Sequence, residues 1–422
     1  MTNIYVASIV RLVFTYFLWI MIWANINTGI WMLENPQRWI EWFHAVRCFF
    51  PYIALIIVML FYSKNARFKK SGPIQMWIVY GIICCLSSMA SLEPLHALYW
   101  AGLYICTLVV LRSMLLNGDD PLERSANLME ITWWITLGYI AVIVFITRDA
   151  IMSGVLSESA YSHFSGSQEI IGVGISRSSG IARFAAVISL LALVRTFYCI
   201  KVAKTFYIFI FVFCIFLVYK MQSRGAILGL IGGILFLIMI QKFHSRFIIM
   251  TLIALVLTTF AFDPQNAFEE KALEYLRRGQ DNEELATMTG RTGSYARGWD
   301  LFQESPIIGL GGLADRIHLD WEHIHNTYLH TLVQGGILGT IFFILGLIMG
   351  WRSLFFLLKY REFLSVQHRK FLIEAGVILV FFTIRSIPEC SGSSFGVDLL
   401  IMLASLAYLQ ILQEQFLFRN QN

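Results

Sequence analysis

Long uncharged apolar stretches alternate with shorter polar segments along most of the chain. An α-helix needs about 20 apolar residues to cross the hydrocarbon core of a bilayer, and about twelve stretches approach that length. They lie at 4–24, 45–63, 73–91, 95–116, 131–147, 180–198, 204–219, 225–241, 246–263, 329–350, 371–387 and 394–413. The pattern predicts an all-α, polytopic integral membrane protein with about twelve transmembrane helices. Because the first stretch contains Arg11 and lacks a small-residue cleavage site, we expect a retained helix rather than a signal peptide.

Two longer polar segments interrupt this pattern. Residues 148–179 are rich in Ser and Gly, which is typical of a flexible binding loop or lid. Residues 264–328 have the charge content of a small soluble subdomain and contain two helical patterns, NAFEEKALEYLRR and SYARGWDLFQESP. In the second pattern Tyr295, Trp299 and Phe302 recur at helical spacing. A loop of this length inside a compact protein is usually functional.

The distribution of Lys and Arg indicates the orientation. If the N-terminus is inside, the cytoplasmic segments hold seventeen Lys and Arg residues and the short outer loops hold eight. Because cytoplasmic loops carry the excess, both termini are predicted to be cytoplasmic and both polar segments periplasmic. The chain is then expected to divide into nine membrane helices in 1–263, a helical periplasmic subdomain in 264–328, and three membrane helices in 329–413.

Composition narrows the class of protein. The chain is 57% hydrophobic and 14% charged, whereas a soluble domain is about 45–50% apolar and about 25% charged. This excludes an ordinary cytosolic enzyme, and a net charge of +5 is too small to indicate a nucleic-acid partner. The seven cysteines lie in or beside apolar stretches, so they are expected to be reduced and buried rather than paired in disulfides.

The segment HLDWEHIHNTYLH is the first candidate for chemistry. It contains four of the nine histidines: His318, His323, His325 and His330. One of them could act as a general base, because imidazole titrates near neutral pH. Alternatively, His323 and His325 with Asp320 or Glu322 could bind a metal, although no HExxH spacing is present. The third interpretation is a set of interfacial histidines that bind lipid headgroups or loop backbone.

Arginines provide the second candidate site. Arg224 lies in a short turn between two apolar stretches, and Arg291 and Arg297 lie in the second helical pattern of the periplasmic segment. Guanidinium groups bind phosphate in a bidentate manner and stay charged at physiological pH. Several arginines facing one outer cleft would suit a diphosphate better than a neutral solute. The alternatives are that Arg224 snorkels to the interface and that Arg297 lies on a solvated helix face.

Four motifs in a fixed order resemble a known superfamily. SRGA follows an apolar stretch, TGR opens the second helical pattern, SPIIGLG ends it, and HIHNTYLHTLVQGGILG opens the next stretch. This order over about residues 220–345 resembles the O-antigen ligase superfamily, which includes O-antigen ligases, O-antigen polymerases and O-oligosaccharyltransferases. SLEPLHALYW and SRSSGIARFAA are weaker similarities to the same superfamily.

The resemblance implies an inverting glycosyltransferase that needs no metal or other cofactor. Its donor would be a polyprenyl diphosphate-linked glycan, and its acceptor a sugar hydroxyl of lipid A-core at the periplasmic face of the bacterial inner membrane. By matching motif positions, His325 would be the general base, and Arg224 and Arg291 would bind the diphosphate. Four further residues are candidates for supporting roles: Asn326, Arg297, His323 and Arg177.

Other functions remain open at this point. A polymerase of the same superfamily would use a second lipid-linked glycan as acceptor, and an O-oligosaccharyltransferase is a less favoured alternative. An Arg-x10-Gly motif of some polymerases is absent, because no glycine lies eleven positions after Arg177, Arg291 or Arg297, which favours a ligase. A transporter of lipid-linked glycans would place charges near the bilayer midplane, whereas the candidate residues here collect at the outer face. A metal-dependent enzyme that uses the histidines is the remaining alternative.

Overall fold

A computed structural model of the chain describes residues 16–26, 38–62, 72–116, 120–153, 178–221, 223–240, 291–319 and 323–419. Within these residues the regular secondary structure is helical, with no strands. The α-helices are α1 (Arg38–Arg47), α2 (Phe50–Tyr62), α3 (Pro73–Ser87), α4 (Pro94–Leu116), α5 (Pro121–Ser153), α6 (Ser178–Tyr198), α7 (Lys201–Met221), α8 (Arg224–Ile240), α9 (Arg291–Glu304), α10 (Ala314–His318), α11 (Thr327–Lys359), α12 (Val366–Arg385) and α13 (Val397–Arg419). Residues 16–24 are also helical.

The starts of several helices follow from local sequence. Proline is the first residue of α3, α4 and α5, a position where its missing N–H and fixed φ suit a helix. Ahead of α5, Asp120 caps the helix, because its Oδ1 accepts hydrogen bonds from the backbone N–H groups of Leu122 and Glu123 at 3.0 Å each. The predicted helix SYARGWDLFQESP is confirmed as part of α9.

Seven helices in the described part of the chain are long and apolar enough to cross a membrane, namely α3, α4, α5, α6, α7, α11 and α13. Helices α2 and α8 are apolar but shorter. The prediction of an all-α, polytopic membrane protein is therefore confirmed. The predicted spans at 371–387 and 45–63 fall on helices α12 and α2, whereas 246–263 lies outside the described residues. Most of the Ser- and Gly-rich segment and residues 264–290 also lie outside them.

The chain forms two compact units. The first unit contains residues 1–135, 293–375 and 386–422, and the second contains 136–292 and 376–385. The division into 1–263, 264–328 and 329–413 concerns position relative to the membrane and stays a prediction.

In the first unit, helices α3 and α11 pack through aromatic rings. Trp77 stacks on Phe343 with ring centroids 5.2 Å apart, and its indole N–H donates to the Phe343 carbonyl at 3.0 Å. Tyr80 contacts the same Phe343 ring edge-on at 5.4 Å. Burial of large aromatic side chains with their polar atoms satisfied is a strongly stabilising arrangement. This packing fixes α11, the helix that follows the histidine segment.

Helix α11 is broken at Gly336, where the expected span at 329–350 was continuous. Gly336 has φ 60° and ψ −164°, which is non-helical. The break leaves the carbonyls of Val333 and Gln334 without helical partners, and the N–H groups of Leu310 and Gly311 donate to them at 2.8 and 2.9 Å. Across the break, the N–H groups of residues 337 and 338 donate to the carbonyls of residues 306 and 307. The segment SPIIGLG thus completes the hydrogen bonding of a broken apolar helix.

In the second unit, glycines allow helices α6, α8 and α12 to approach closely. A Cβ atom at Gly229 of α8 would lie 2.6 Å from Cδ2 of Phe381 in α12. On the same helix, a Cβ atom at Gly233 would lie 2.6 Å from Cδ1 of Leu190 in α6. A side chain at either position would displace its neighbour, and small residues at helix interfaces are typical of membrane bundles.

Candidate active site

The histidine segment, residues 318–330, begins at the last residue of helix α10 and ends in the first turn of helix α11, in the first unit. Residues 323–326 are not helical, and Asn326 caps α11 because its Oδ1 accepts from the N–H of Leu329 at 2.9 Å. The Asn326 side-chain amide donates to the carbonyl of Ile387 at 2.9 Å, and the N–H of Thr327 donates to that of Ser386 at 3.0 Å. The segment is therefore held against residues 386–391, which follow α12.

His325 forms a dyad with a carboxylate from that neighbouring segment. Its Nδ1 lies 2.9 Å from Oε2 of Glu389, and the side chains of the two residues are 29% and 15% exposed. Because a carboxylate only accepts, Nδ1 is the donor in this contact, which leaves Nε2 as the ring nitrogen that could accept a proton from a substrate. A partly exposed histidine that is oriented by a carboxylate is the arrangement of a general base.

Two neighbours hold the backbone of this dyad. The Tyr295 hydroxyl of α9 donates to the His325 carbonyl at 2.8 Å, and the Thr327 hydroxyl donates to the Glu389 carbonyl at 2.9 Å. Helix α9 also packs against the histidine segment, because a Cβ atom at Gly298 would lie 2.7 Å from Cδ1 of Ile324. The helix predicted in the periplasmic segment thus has a definite role, which is to support the backbone of His325.

His323 belongs to a different cluster, centred on the fully buried Asp315. Asp315 Oδ2 accepts from Nδ1 of His323 at 2.7 Å and from the N–H of Ile324 at 3.1 Å, and its Oδ1 lies 3.3 Å from Nε2 of His330. Burial would raise the pKa of Asp315, but the contacts with His330 and His323 outweigh it and hold that pKa well below its usual value. Burial also lowers the pKa of His323 to about 4, so this ring is neutral at pH 7.

His330 has both ring nitrogens engaged inside the protein. Its Nδ1 lies 3.0 Å from the Ser393 hydroxyl, and its Nε2 donates at 3.1 Å to the side-chain oxygen of Gln334. The Gln334 side-chain nitrogen then donates to the Tyr80 hydroxyl at 2.9 Å and to the Ser393 carbonyl at 3.2 Å. A fully buried histidine with two internal partners is suited to holding the fold and not to accepting a substrate proton.

The structure also bears on the metal hypothesis. His323, His330 and Cys390 offer three ligand atoms within 4.8 Å of one another. The Cys390 thiol, however, donates to the Ile324 carbonyl at 2.8 Å, and both nitrogens of His330 already have polar partners. This set differs from the predicted one, whose acidic members, Asp320 and Glu322, lie outside the described residues. The cluster is satisfied by hydrogen bonds within the protein.

The arginines divide between the two units. Arg224 is the first residue of α8 and Arg291 the first residue of α9, and both are half-buried members of the second unit. Arg297 lies on α9 in the first unit and is exposed, as expected for a solvated helix face. Arg177 lies outside the described residues. The first unit thus brings together His323, His325 and Asn326, whereas a common site for the histidines and arginines stays a prediction.

A comparison with protein families identifies the stretch that carries most of these residues. Residues 209–344 match the O-antigen ligase family. The superfamily resemblance seen in the sequence is confirmed over this stretch, which is about a third of the chain. No curated protein matches the chain.

The O-antigen ligase match covers Arg224, Arg291 and the histidine segment, but it ends before the partner of His325. Glu389 lies 64 residues after His325, in a part of the chain where sequence reasoning did not identify a functional residue. The sequence feature that could have identified Glu389 is its position as an acidic residue, in SIPEC, at the edge of an otherwise apolar stretch. Asp315 was also not identified from the sequence, because LADRIH has the pattern of a short helix with ordinary polar positions.

Proposed function

We propose that this protein is a membrane glycosyltransferase that acts as an O-antigen ligase. It would transfer a glycan from a polyprenyl diphosphate carrier to a sugar hydroxyl of lipid A-core, at the periplasmic face of the bacterial inner membrane. The observation that carries the proposal is the His325–Glu389 dyad, which begins at the family motif HNTYLH and has the geometry of a general base. The family match supports membrane glycan transfer in general, and the ligase reaction is our inference from it.

The proposed reaction is a single displacement. Nε2 of His325 accepts the proton of the acceptor hydroxyl, and the acceptor oxygen attacks the anomeric carbon of the donor sugar. The bond from that carbon to the diphosphate oxygen breaks, and polyprenyl diphosphate leaves with the electron pair. Because one displacement occurs, the anomeric configuration is inverted. General base catalysis of this kind contributes about 10²–10⁴-fold to the rate.

Glu389 is proposed to have two effects on this step. By accepting from Nδ1, it selects the tautomer whose Nε2 can take a proton, and it then stabilises the imidazolium that forms. The Glu389 backbone carbonyl accepts from the Thr327 hydroxyl, which fixes the position of this residue relative to the start of α11. Asn326 is proposed to position the segment through its cap of α11.

Arg224 and Arg291 are proposed to bind the diphosphate, as the family motif implies. Charge develops on the diphosphate as the glycosidic bond breaks, and fixed guanidinium groups would stabilise it without a metal ion. Each arginine begins a helix, so the positive end of the helix dipole would add to its charge. Three further residues stay candidates for supporting roles, namely Arg297, His323 and Arg177.

A polymerase of the same superfamily is the second candidate, because the family match favours neither acceptor. The test uses the purified full-length chain with a polyprenyl diphosphate-linked glycan and lipid A-core. We expect the glycan to appear on lipid A-core. If glycan instead grows only on the polyprenyl carrier, the protein is a polymerase, and if glycan moves to neither acceptor, the transferase proposal is wrong.

A further inference from the structure

An uncharged turn follows helix α9. The ten residues 305–314 carry no charged side chain, although the segment around them is rich in charge. The turn itself, residues 305–308, is closed by the N–H of Gly309, which donates to the Ser305 carbonyl at 2.9 Å. Two large apolar side chains lie on its surface, because Ile307 is 63% and Ile308 43% exposed. We call residues 305–308 the isoleucine turn, and its exposed apolar surface fits an apolar partner.

Hydrogen bonds hold the isoleucine turn against the break in helix α11. The N–H of Ile337 donates to the Pro306 carbonyl at 2.8 Å, and the N–H of Leu338 donates to the Ile307 carbonyl at 3.1 Å. A Cβ atom at Gly336 would collide with the Ile307 backbone, so the two segments are in direct contact there. The isoleucine turn therefore lies at the level of residues 336–338 of α11.

The sequence of α11 places this level inside the apolar part of the helix. Between His330 and Arg352 the helix carries no charged residue, and Arg352 is exposed. Because charge is costly at membrane depth, Arg352 marks one boundary of the hydrocarbon core. Ile337 lies fifteen residues before Arg352, which is about 22 Å along a helix, whereas the core is about 30 Å thick. The isoleucine turn is therefore inside the opposite boundary, the one nearer the histidine segment.

Helix α3 supports the same depth. The Ser87 hydroxyl donates to the Gln334 carbonyl at 3.2 Å, so Ser87 lies beside the break in α11. Ser87 belongs to the apolar stretch Pro73–Ala90, which is long enough to cross a membrane. Both helices that meet at the break are therefore still within their membrane-crossing stretches at this level.

The exposed apolar face of α11 continues onto the isoleucine turn. After the break, this face consists of large apolar side chains that recur at helical spacing and are between 39% and 54% exposed, namely Ile337, Leu338, Ile341, Leu345 and Ile348. On a helix that crosses a membrane, such a face lies against lipid acyl chains. Because the backbone of the turn is hydrogen-bonded to Ile337 and Leu338, the exposed side chains of Ile307 and Ile308 adjoin this face.

We propose that the isoleucine turn inserts into the bilayer beside α11 and places the side chains of Ile307 and Ile308 among lipid acyl chains. The partner is the bilayer and not a second protein, because the turn continues a lipid-facing surface. Its backbone suits this position, since the carbonyls of Pro306 and Ile307 are hydrogen-bonded to α11 and proline has no N–H.

The inserted turn would also hold the candidate active site at the membrane surface. Helix α9 ends one residue before the turn, and Tyr295 of this helix donates to the His325 carbonyl. Part of the segment 264–328, which was expected to be periplasmic, would thus be embedded in the bilayer. The proposal does not depend on the transfer reaction, because it concerns only the position of the turn.

The test measures the surroundings of the turn directly. A fluorescent amino acid is placed at position 307 of the full-length protein, in nanodiscs of phosphatidylethanolamine and phosphatidylglycerol. Quenching is measured with brominated acyl chains and, separately, with iodide in the aqueous phase. The same probe at Ile341, on the lipid-facing side of α11, is the reference for acyl-chain contact, and at Asp300, exposed on α9, it is the reference for water.

We expect the probe at position 307 to match the probe at Ile341 in quenching by brominated lipid. Its quenching constant with iodide should be at least about three-fold smaller than that at Asp300. Each variant is first checked for monodispersity and helical content, and the same probe at Ile308 carries the test if the variant at position 307 does not fold.

Two outcomes would overturn the proposal. The first is quenching by iodide as strong as at Asp300, without quenching by brominated lipid, which would place the turn in water. The second is quenching by neither agent, which would mean that a second protein covers the turn. Both measurements are made without substrate, so their failure is distinct from failure of the proposed function, which the glycan transfer assay reports.

Discussion

Three histidines of HLDWEHIHNTYLH lie close together in the sequence but have different surroundings in the structure. His325 pairs with a partly exposed carboxylate, His323 pairs with a buried one, and His330 is enclosed by hydrogen-bond partners. Sequence predicted His325 as the base through its position before Asn326, and the dyad with Glu389 supports that assignment. Glu389 itself could not be predicted, because the pairing depends on how the segment after α12 folds back onto the start of α11.

At this scale we predict separate effects for the two members of the dyad. His325→Ala should abolish glycan transfer while leaving polyprenyl diphosphate binding intact, because it removes the proton acceptor and no charge that faces the donor. Glu389→Gln should lower kcat about 10²-fold, because the amide can donate to Nδ1 and so favour the wrong tautomer. Transfer assays and carrier-binding titrations on the same preparations measure both effects. Wild-type turnover by His325→Ala would rule out the base assignment.

Arg291 gives a second prediction for a single residue. Arg291→Lys should reduce kcat/KM about ten-fold or more, because an ammonium group keeps the charge but cannot make a bidentate contact to phosphate. The matched substitution Arg297→Lys on the same helix should have a much smaller effect, since Arg297 is exposed. The two variants are compared in parallel transfer assays. Equal losses of kcat/KM would mean that Arg291 makes no bidentate contact to phosphate.

At the scale of elements, apolar length predicted most helices, but it did not predict the break in α11. Two glycines of LVQGGILG, Gly335 and Gly339, lie against Tyr80 of α3, as is typical of close helix packing in membranes. Gly336 instead interrupts the helix, because the segment at 306–311 supplies the hydrogen bonds that the interruption requires. Local periodicity carries no information about a partner segment that lies 25 residues earlier in the chain, as Gly311 does.

The break predicts an effect of substitution at Gly336. Gly336→Ala should lower the free energy of unfolding by about 1–3 kcal/mol, because position 336 has a positive φ and a Cβ atom would collide with the Ile307 backbone. Thermal unfolding in detergent measures the change. Gly396→Ala is the control, since a Cβ atom there has no neighbour within 4 Å, and it should be close to neutral. Equal midpoints for the two variants would contradict the role assigned to Gly336.

For the whole molecule, composition and charge distribution predicted the class correctly, because a bilayer imposes length and polarity on every helix that crosses it. The composition of the whole chain did not predict the buried polar cluster around Asp315. This cluster joins α10, the histidine segment and α11. Charged groups of this kind are few, so they barely change composition. They nevertheless make the stability of the folded protein depend on pH.

We predict that the protein loses stability between pH 6.5 and 4. The folded pKa of His323 is about 4 and its ordinary value is 6.5, so in this range the unfolded state binds more protons than the folded state. The loss should reach about 2–3 kcal/mol at the acid end, since one pKa unit corresponds to about 1.4 kcal/mol. His323→Gln, which keeps a donor for Asp315, should flatten this dependence. The unfolding midpoints of the wild-type protein and of His323→Gln are measured between pH 6.5 and pH 4. The same pH dependence in both proteins would contradict the prediction.

A last prediction concerns metal removal. Glycan transfer by the purified protein should persist after exhaustive treatment with a chelator, because His330 and Cys390 already have hydrogen-bond partners and the proposed base is His325. The measurement is turnover before and after chelation, with metal content determined on the same samples. Loss of activity that returns only on adding a divalent metal would favour a metal-dependent enzyme instead.

The break in α11 also constrains the order in which the protein is assembled. Residues 306–311 are synthesised before the helix that they complete, so their backbone N–H and carbonyl groups must stay hydrated until residues 333–338 arrive. Helix α11, in turn, can complete its backbone hydrogen bonding only when that earlier segment is in place. Maturation of this chain therefore requires that residues 306–311 and the later helix α11 come together before either has its full set of backbone hydrogen bonds.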